Sequence, residues 1–228
     1  MKQVRFIEIT GSPGVGKTTL KEYAYKKTGI KKGTEFSIRD HTNYIFLVVE
    51  FFFFCLYHIK FIYLIFINYE SNSKKLNLPE PPTTNLLTTI IHITLVFFTS
   101  IKEIKISKKI KQKIILKDEP LFQTIYNYKF FYSEFKEISS LLKYVNKHFY
   151  SKYYIENIHL YDDIENIINK RKKRKGRIDN VNIKTIEKQT QKYKRNVTRF
   201  RQKINYSHEK EIDVENKSVE EVAKKIIN

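Results

Sequence analysis

Apolar and polar positions alternate over residues 4 to 10, VRFIEIT, and a β-rich alternating run predicts a strand. In TTLKEYAYKK just beyond it, Leu20 and Ala24, with Tyr23 alongside, fall on one face at helical spacing, so a helix follows. FSIRD, residues 36 to 40, predicts a second short strand, and KIILKDEP, 113 to 120, a buried strand ending in two carboxylates. YKFFYSEFKEISSLLKYVNKHF predicts one helix over 128–149, and YYIENIHLY a strand over 153–161. DDIENIINKRKKRKGR opens with two acids and closes with cations and Gly176, matching the helix dipole at both ends. From Ile183 to Ile204 the apolar residues Ile186, Tyr193, Val197, Phe200 and Ile204 recur at helical spacing. KEIDVEN predicts a last strand, and SVEEVAKKII a short amphipathic helix with Ser218 and Glu221 spaced as a capping box. Strands alternate with helices throughout, so the chain is α/β, with a parallel sheet covered on both faces.

One stretch breaks the rhythm. Residues 44 to 67 are apolar almost without interruption, and a second apolar stretch, LLTTIIHITLVFF, follows a polar break holding three prolines. The first run is long enough to cross a bilayer. It carries Glu50, His58 and Lys60, however, and a single crossing would place the N-terminal loop and Asp118 on opposite sides of the membrane. Buried core helices are therefore favoured over membrane association, and residues 44–105 are expected to form a helical insertion in one domain covering residues 1–228.

Charge sharpens the picture because of where it lies. Between residues 170 and 203, fifteen Lys and Arg face only Asp179 and Glu187, so this segment carries +13 of the net +19. Cys55 is the only cysteine, which excludes an internal disulfide and a cysteine zinc cluster. With MKQVRFIEIT running straight into a glycine loop, there is no signal-peptide pattern, and a cytoplasmic setting is expected.

The loop itself carries the most specific chemistry. Gly11, Gly16, Lys17 and Thr18 satisfy G-x-x-x-x-G-K-[ST], in the strand–loop–helix context that this motif needs. Glycines let backbone N–H groups of Gly11, Ser12, Gly14, Val15, Gly16, Lys17, Thr18 and Thr19 turn inward around phosphate oxygens, and the helix N-terminus adds partial positive charge. Lys17 would reach the terminal phosphates of ATP, and Thr18 would bind Mg²⁺. Asp118 or Glu119, at the end of a neighbouring strand, can hold the metal or take a proton from an attacking hydroxyl. Arg171, Arg174 and Arg177, in a lid-like basic segment over 171–182, can stabilise the charge of a transferring phosphoryl group.

GSPGVGKTT, then LKDEPLFQ, then the arginine-bearing helix ending KRKGR, then EIDVENKSVEEVAKKII resemble the ordered landmarks of small P-loop kinases, the nucleoside and nucleotide kinase group. The resemblance covers roughly the first 40 residues and the last 115. It implies a three-layer P-loop NTPase fold, an arginine lid, a nucleotide base flanked by the last strand and helix, and an acceptor site shaped by residues 44–105. The family's Asp-Arg or Glu-Arg pair is absent, because Glu119 precedes Pro120.

The function expected is therefore transfer of the γ-phosphoryl group of ATP, with Mg²⁺, to a small acceptor such as a nucleoside, nucleotide or other metabolite. Two alternatives stand beside it: a P-loop NTPase coupling hydrolysis to a conformational change, and a nucleic-acid-binding protein using residues 170–203. Arg39, Asp40 and His41 lie where the second strand should end and could face the acceptor. Tyr193 and Phe200 could stack on bases, but their spacing favours core positions.

Overall fold

Four strands, β1 (Arg5–Gly11), β2 (Ile114–Lys117), β3 (Ile155–Tyr161) and β4 (His208–Asp213), pair in parallel in the order β2–β1–β3–β4. They belong to a computed structural model that describes residues 4–12, 14–28, 44–69, 85–109, 114–118, 120–130, 138–172, 187, 190–191, 193, 197 and 200–227. The strand expected over 36–40 lies outside the described residues, with Arg39, Asp40 and His41.

The central strands β1 and β3 are buried on both faces, as a parallel sheet requires, while β4 at the edge is exposed from His208 to Glu211. On one face Ile7, Ile9, Leu116, Ile158 and Leu160 pack against α1 (Lys17–Thr28), through Leu20, Ala24 and Tyr25, and against α8 (Val219–Ile227), through Val222, Ala223 and Ile226. On the other, Phe6, Ile115 and Ile155 meet a larger, aromatic cluster. That cluster draws on α3 (Ile59–Asn68), α4 (Leu86–Lys109), α5 (Leu121–Phe130) and α6 (Ser139–Val145) with the π-helical turn Asn146–Tyr150 behind it. Tyr193, Val197, Phe200 and Ile204 also enter this cluster, so the core reading of Tyr193 and Phe200 holds.

Alternation along β1 sends Phe6, Glu8 and Thr10 to the aromatic side and Ile7 and Ile9 to the other. Because both sides are covered, Glu8 and Thr10 are fully buried. Their side chains are satisfied locally: the Tyr150 and Tyr206 hydroxyls donate to Glu8, and Thr10 lies 3.0 Å from Nδ1 of His159.

Two expectations change. The helix predicted over 128–149 is at least two, since Ile138 precedes α6 with a non-helical backbone (φ −126°, ψ 0°) and α5 already starts at Leu121. Leu121, Phe122, Ile125 and Tyr126 join the core there, in a first stretch buried from Leu121 to Tyr126 that begins directly behind Pro120. The second change concerns the apolar run. It forms α2 (Tyr44–Tyr57) and α3, bent by 69° at His58. In α3 the residues Phe61, Ile65 and Asn68 are buried, whereas α2 lays the stripe of Leu47, Phe51 and Phe54 on α4, with Glu50 paired to Lys102. Buried core helices were expected; α2 is instead exposed and apolar on its remaining sides, with Phe46 66%, Phe53 63% and Tyr57 70% accessible. The closing helix meets its expectation: the Ser218 N–H donates to Glu221 at 2.8 Å, and the Glu221 N–H donates back to Ser218 Oγ at 3.2 Å, a complete capping box on α8.

Candidate functional site

β1 runs between β2 and β3, so the loop leaving its C-terminal end opens into the crevice where successive crossovers diverge, the usual ligand position in such sheets. Gly11 has φ +148°, and a Cβ there would lie 2.6 Å from the Leu160 carbonyl oxygen and 2.9 Å from Val15 Cγ1. Only glycine lets the loop pass that close to β3. Gly16 has φ +101° with no neighbour near its missing Cβ, so its requirement is conformational: it turns the chain into α1, whose first turn closes through the Leu20 N–H donating to the Gly16 carbonyl at 2.9 Å.

Lys17 folds back over this loop, its ammonium donating to the carbonyl oxygens of Gly11 (2.8 Å) and Ser12 (3.2 Å). Thr18, one residue on, donates its hydroxyl to Asp118 Oδ2 at 3.0 Å. Asp118 follows β2 directly, so a loop residue and a carboxylate 100 positions apart meet at the sheet's C-terminal edge. Lys21, three residues beyond Thr18 on the same face of α1, pairs with Asp118 Oδ1 at 2.8 Å. Burial disfavours the Asp118 charge, but the hydrogen bond and charge of Lys21, with the Thr18 hydroxyl, outweigh it and hold the carboxyl below its ordinary pKa. It is ionised at neutral pH. A hydroxyl and an ionised carboxylate are the hard oxygen donors that suit Mg²⁺, an ion that keeps most of its water and needs few protein ligands. The described residues thus fit the metal expected from the motif.

Next to the loop a cleft of about 310 Å³ is lined by Gly14, Val15, Gly16, Thr19 and Leu20 on one side. Leu160, Val214, Val219 and Val222 supply apolar walls, and Lys170 and Lys217 supply cations. Lys170 comes from α7 (Ile164–Lys172) and is steered by Asp162, to which it is paired at 2.5 Å. An apolar slot with two ammonium groups, opening beside a phosphate loop, suits a flat base carried on phosphates.

Behind the loop lies a buried polar layer. The Gly11 N–H donates to the Tyr193 hydroxyl at 3.1 Å, and the Tyr193 ring stacks on His159 with an interplanar angle of 10°. Burial, reinforced by the Arg201 charge, pushes the His159 pKa down to about 4, so this ring is neutral where it supports the loop.

Of the residues expected from sequence, Gly11, Ser12, Gly14, Val15, Gly16, Lys17, Thr18, Thr19 and Asp118 are brought together here. Arg171 sits in the last turn of α7, while Glu119, Arg174 and Arg177 lie outside the described residues. Lys21, Tyr193, His159, Lys170 and Lys217 were missed. The i, i+3 spacing of Thr18 and Lys21 was a usable signal; the others depend on strand order, which no local pattern carries.

The strand, glycine loop and helix at the centre of a parallel sheet define a P-loop α/β fold. No protein-family model matches the chain, and neither does any curated protein. Among solved structures it is similar to deoxyadenosine kinase from M. mycoides with bound dCTP, with a TM-score of 0.49 and 16% identity over 98% of this chain and 97% of that one. It is similar also to deoxyadenosine kinase from M. mycoides with bound dATP (TM-score 0.43, 17% identity, 98% and 97% covered). A third similarity is to an uncharacterized protein from Eubacterium ventriosum (TM-score 0.39, 11% identity, 99% and 97% covered). The chemistry assigned to the site rests on its own geometry.

Proposed function

We propose that this protein is an ATP- and Mg²⁺-dependent phosphotransferase that moves a γ-phosphoryl group to a small acceptor, a nucleoside, nucleotide or related metabolite. The observation that carries the reading is the hydrogen bond from Thr18 to Asp118 at the mouth of the phosphate loop. It unites the loop hydroxyl and the strand-end carboxylate that phosphoryl transfer uses for its metal.

The base of the nucleotide would enter the cleft between the loop and α8, between Leu160 and Val214, with its phosphates over the loop's N–H groups. Lys17, now donating to two loop carbonyls, would turn its ammonium to the phosphate oxygens. Thr18 and Asp118 would hold Mg²⁺, which neutralises charge on the β and γ phosphates when bound. An ionised Asp118 held below its ordinary pKa is a poor proton acceptor. The acceptor's proton therefore falls to Glu119, next in the chain. Arg171, Arg174 and Arg177 supply the positive charge for the transferring group.

Label transfer from γ-labelled ATP tests this, with Mg²⁺ and an acceptor panel headed by nucleosides, for wild type beside Lys17→Ala. A labelled small molecule that disappears in the variant supports a kinase. Label found only as free phosphate would turn the reading toward hydrolysis, and equal transfer by Lys17→Ala would remove the loop from the chemistry.

A further inference from the structure

The exposed face of α2 and α3 is not explained by phosphoryl transfer. Ile45, Phe46, Val48, Val49, Phe52 and Phe53 are exposed along α2, with Leu56 and Tyr57 at its end. Ile59, Tyr63, Phe66 and Ile67 continue the surface on α3, and Leu87, Ile91 and Leu95 on the first half of α4. Six of these are aromatic and each is more than half accessible; at roughly 150–250 Å² per aromatic side chain they alone present on the order of 700 Å². The largest apolar patch of an ordinary soluble monomer is about 300–600 Å².

The arrangement of α2 says what kind of partner fits. It is fastened to α4 along the single stripe of Leu47, Phe51 and Phe54, with Glu50 paired to Lys102. Among the described residues, Phe46, Val48, Val49, Phe52, Phe53, Leu56 and Tyr57 on its other sides are apolar and exposed. A flat protein surface covers one side of such a rod, whereas a fluid hydrocarbon layer covers all that remains.

Charge points the same way. His58, at the bend between α2 and α3, and His148, whose ring lies 5.7 Å away, feel the charges of Lys60, Lys105, Lys147 and Lys152. Those four lysines are exposed, and among the described residues none forms an ion pair with a carboxylate. The apolar bend is thus rimmed by cations on a chain of net charge +19, which repels a second copy of itself and attracts an anionic surface.

We propose that α2 and α3 dock this protein onto the surface of an anionic phospholipid bilayer, with the aromatic face among the acyl chains and the lysine rim at the headgroups. The helices lie in the interface and do not cross it. With 14 residues, α2 is about 21 Å long against a hydrocarbon core of about 30 Å, and the 69° bend prevents α2 and α3 from forming one straight span. The longer α4 belongs to the body: Ile93, Phe97 and Ile104 are in the core, and Glu103 is paired with Lys117 of β2 at 2.8 Å. In-plane docking leaves the phosphate loop and Asp118 on one side of the membrane, removing the objection that a crossing would raise.

The chain has no tryptophan, so Phe53→Trp places a single depth reporter on the exposed face. With full-length protein and phosphatidylcholine vesicles containing phosphatidylserine, its emission should move to the blue and be quenched by brominated acyl chains. Sedimentation with the same vesicles should be salt-sensitive. It should fall more than about tenfold in Phe46→Ser/Phe52→Ser, which removes two inserted phenyl groups but no core contact. Replacing Lys60, Lys105, Lys147 and Lys152 with Gln should abolish the preference over pure phosphatidylcholine. An emission unchanged by vesicles would overturn the proposal, as would equal binding to both vesicle types by wild type. A dimer in sedimentation velocity, dissolved by Phe46→Ser/Phe52→Ser without vesicle binding, would assign the face to a second copy. Matching denaturation curves for the variants separate each result from unfolding.

Discussion

Replacing Glu8 with Gln tests the burial of charge in the centre of the sheet. Glu8 is fully buried, accepts hydroxyl donors from Tyr150 (3.1 Å) and Tyr206 (3.0 Å), and has its pKa raised from 4.5 to about 8. Burial is the dominant cause; the two hydroxyls and the charge of Lys117 act against it and are outweighed. The folded state therefore holds a proton that the unfolded chain releases near 4.5, and stability falls as pH rises from there to about 8. At about 1.4 kcal/mol per pKa unit, the whole window is worth about 5 kcal/mol. His159 works in the opposite sense: its pKa drops from 6.5 to about 4, so its contribution is lost as pH falls through that range. His58, also lowered to about 4 by burial, and His148, lowered in the same direction, add to the His159 slope, so below pH 6.5 the histidines together oppose Glu8. Above it Glu8 acts alone, and urea unfolding should show wild type losing about 2 kcal/mol between pH 6.5 and 8. The amide introduced by Glu8→Gln keeps an acceptor for the tyrosines without the charge, so this variant should be flat in that interval. Wild-type and variant curves that run parallel from pH 5 to 9 would refute the reasoning, because they would mean that Glu8 keeps its ordinary pKa when folded.

The loop makes three further predictions. Gly11→Ala forces a Cβ against the Leu160 carbonyl at 2.6 Å, and should cost about 3 kcal/mol in thermal or urea unfolding together with most ATP binding. Asp118→Asn removes the ionised partner of Lys21 and Thr18; transfer should fall by roughly 10²-fold or more and require higher Mg²⁺, read from a metal titration of the rate. Tyr193→Phe leaves the Gly11 N–H without its hydroxyl acceptor and should cost about 1–3 kcal/mol of stability, with a weaker ATP Kd by calorimetry.

What the sequence disclosed follows from how local each feature is. The phosphate loop was legible because its chemistry is written in consecutive residues, and the capping box of α8 because Ser218 and Glu221 are three apart. Asp118 could be placed at a strand end from IILK alone, and Lys21 shares a helix face with Thr18, yet the pairing of the two forms only when β2 lies beside β1. Glu8 and Thr10 looked like the polar half of an alternating strand. They became buried because helices cover the second face, a property of the whole sheet.

The apolar run shows the opposite limit. A helix with one polar side reveals its orientation through its period, but in YIFLVVEFFFFCLY almost every position is apolar, so no face is distinguished. Such a segment states that it must be covered and leaves open by what. The core reading followed from the charges within the run and from the need to keep the loop and Asp118 on one side of a membrane, and it holds for one face of α3, where Phe61 and Ile65 are buried. It fails for α2, where Phe51 and Phe54 meet α4 while Phe46, Phe52 and Phe53 stay exposed. The surplus of apolar surface over available core is thus a quantity of the folded chain, and it is this surplus that assigns α2 a partner outside the protein.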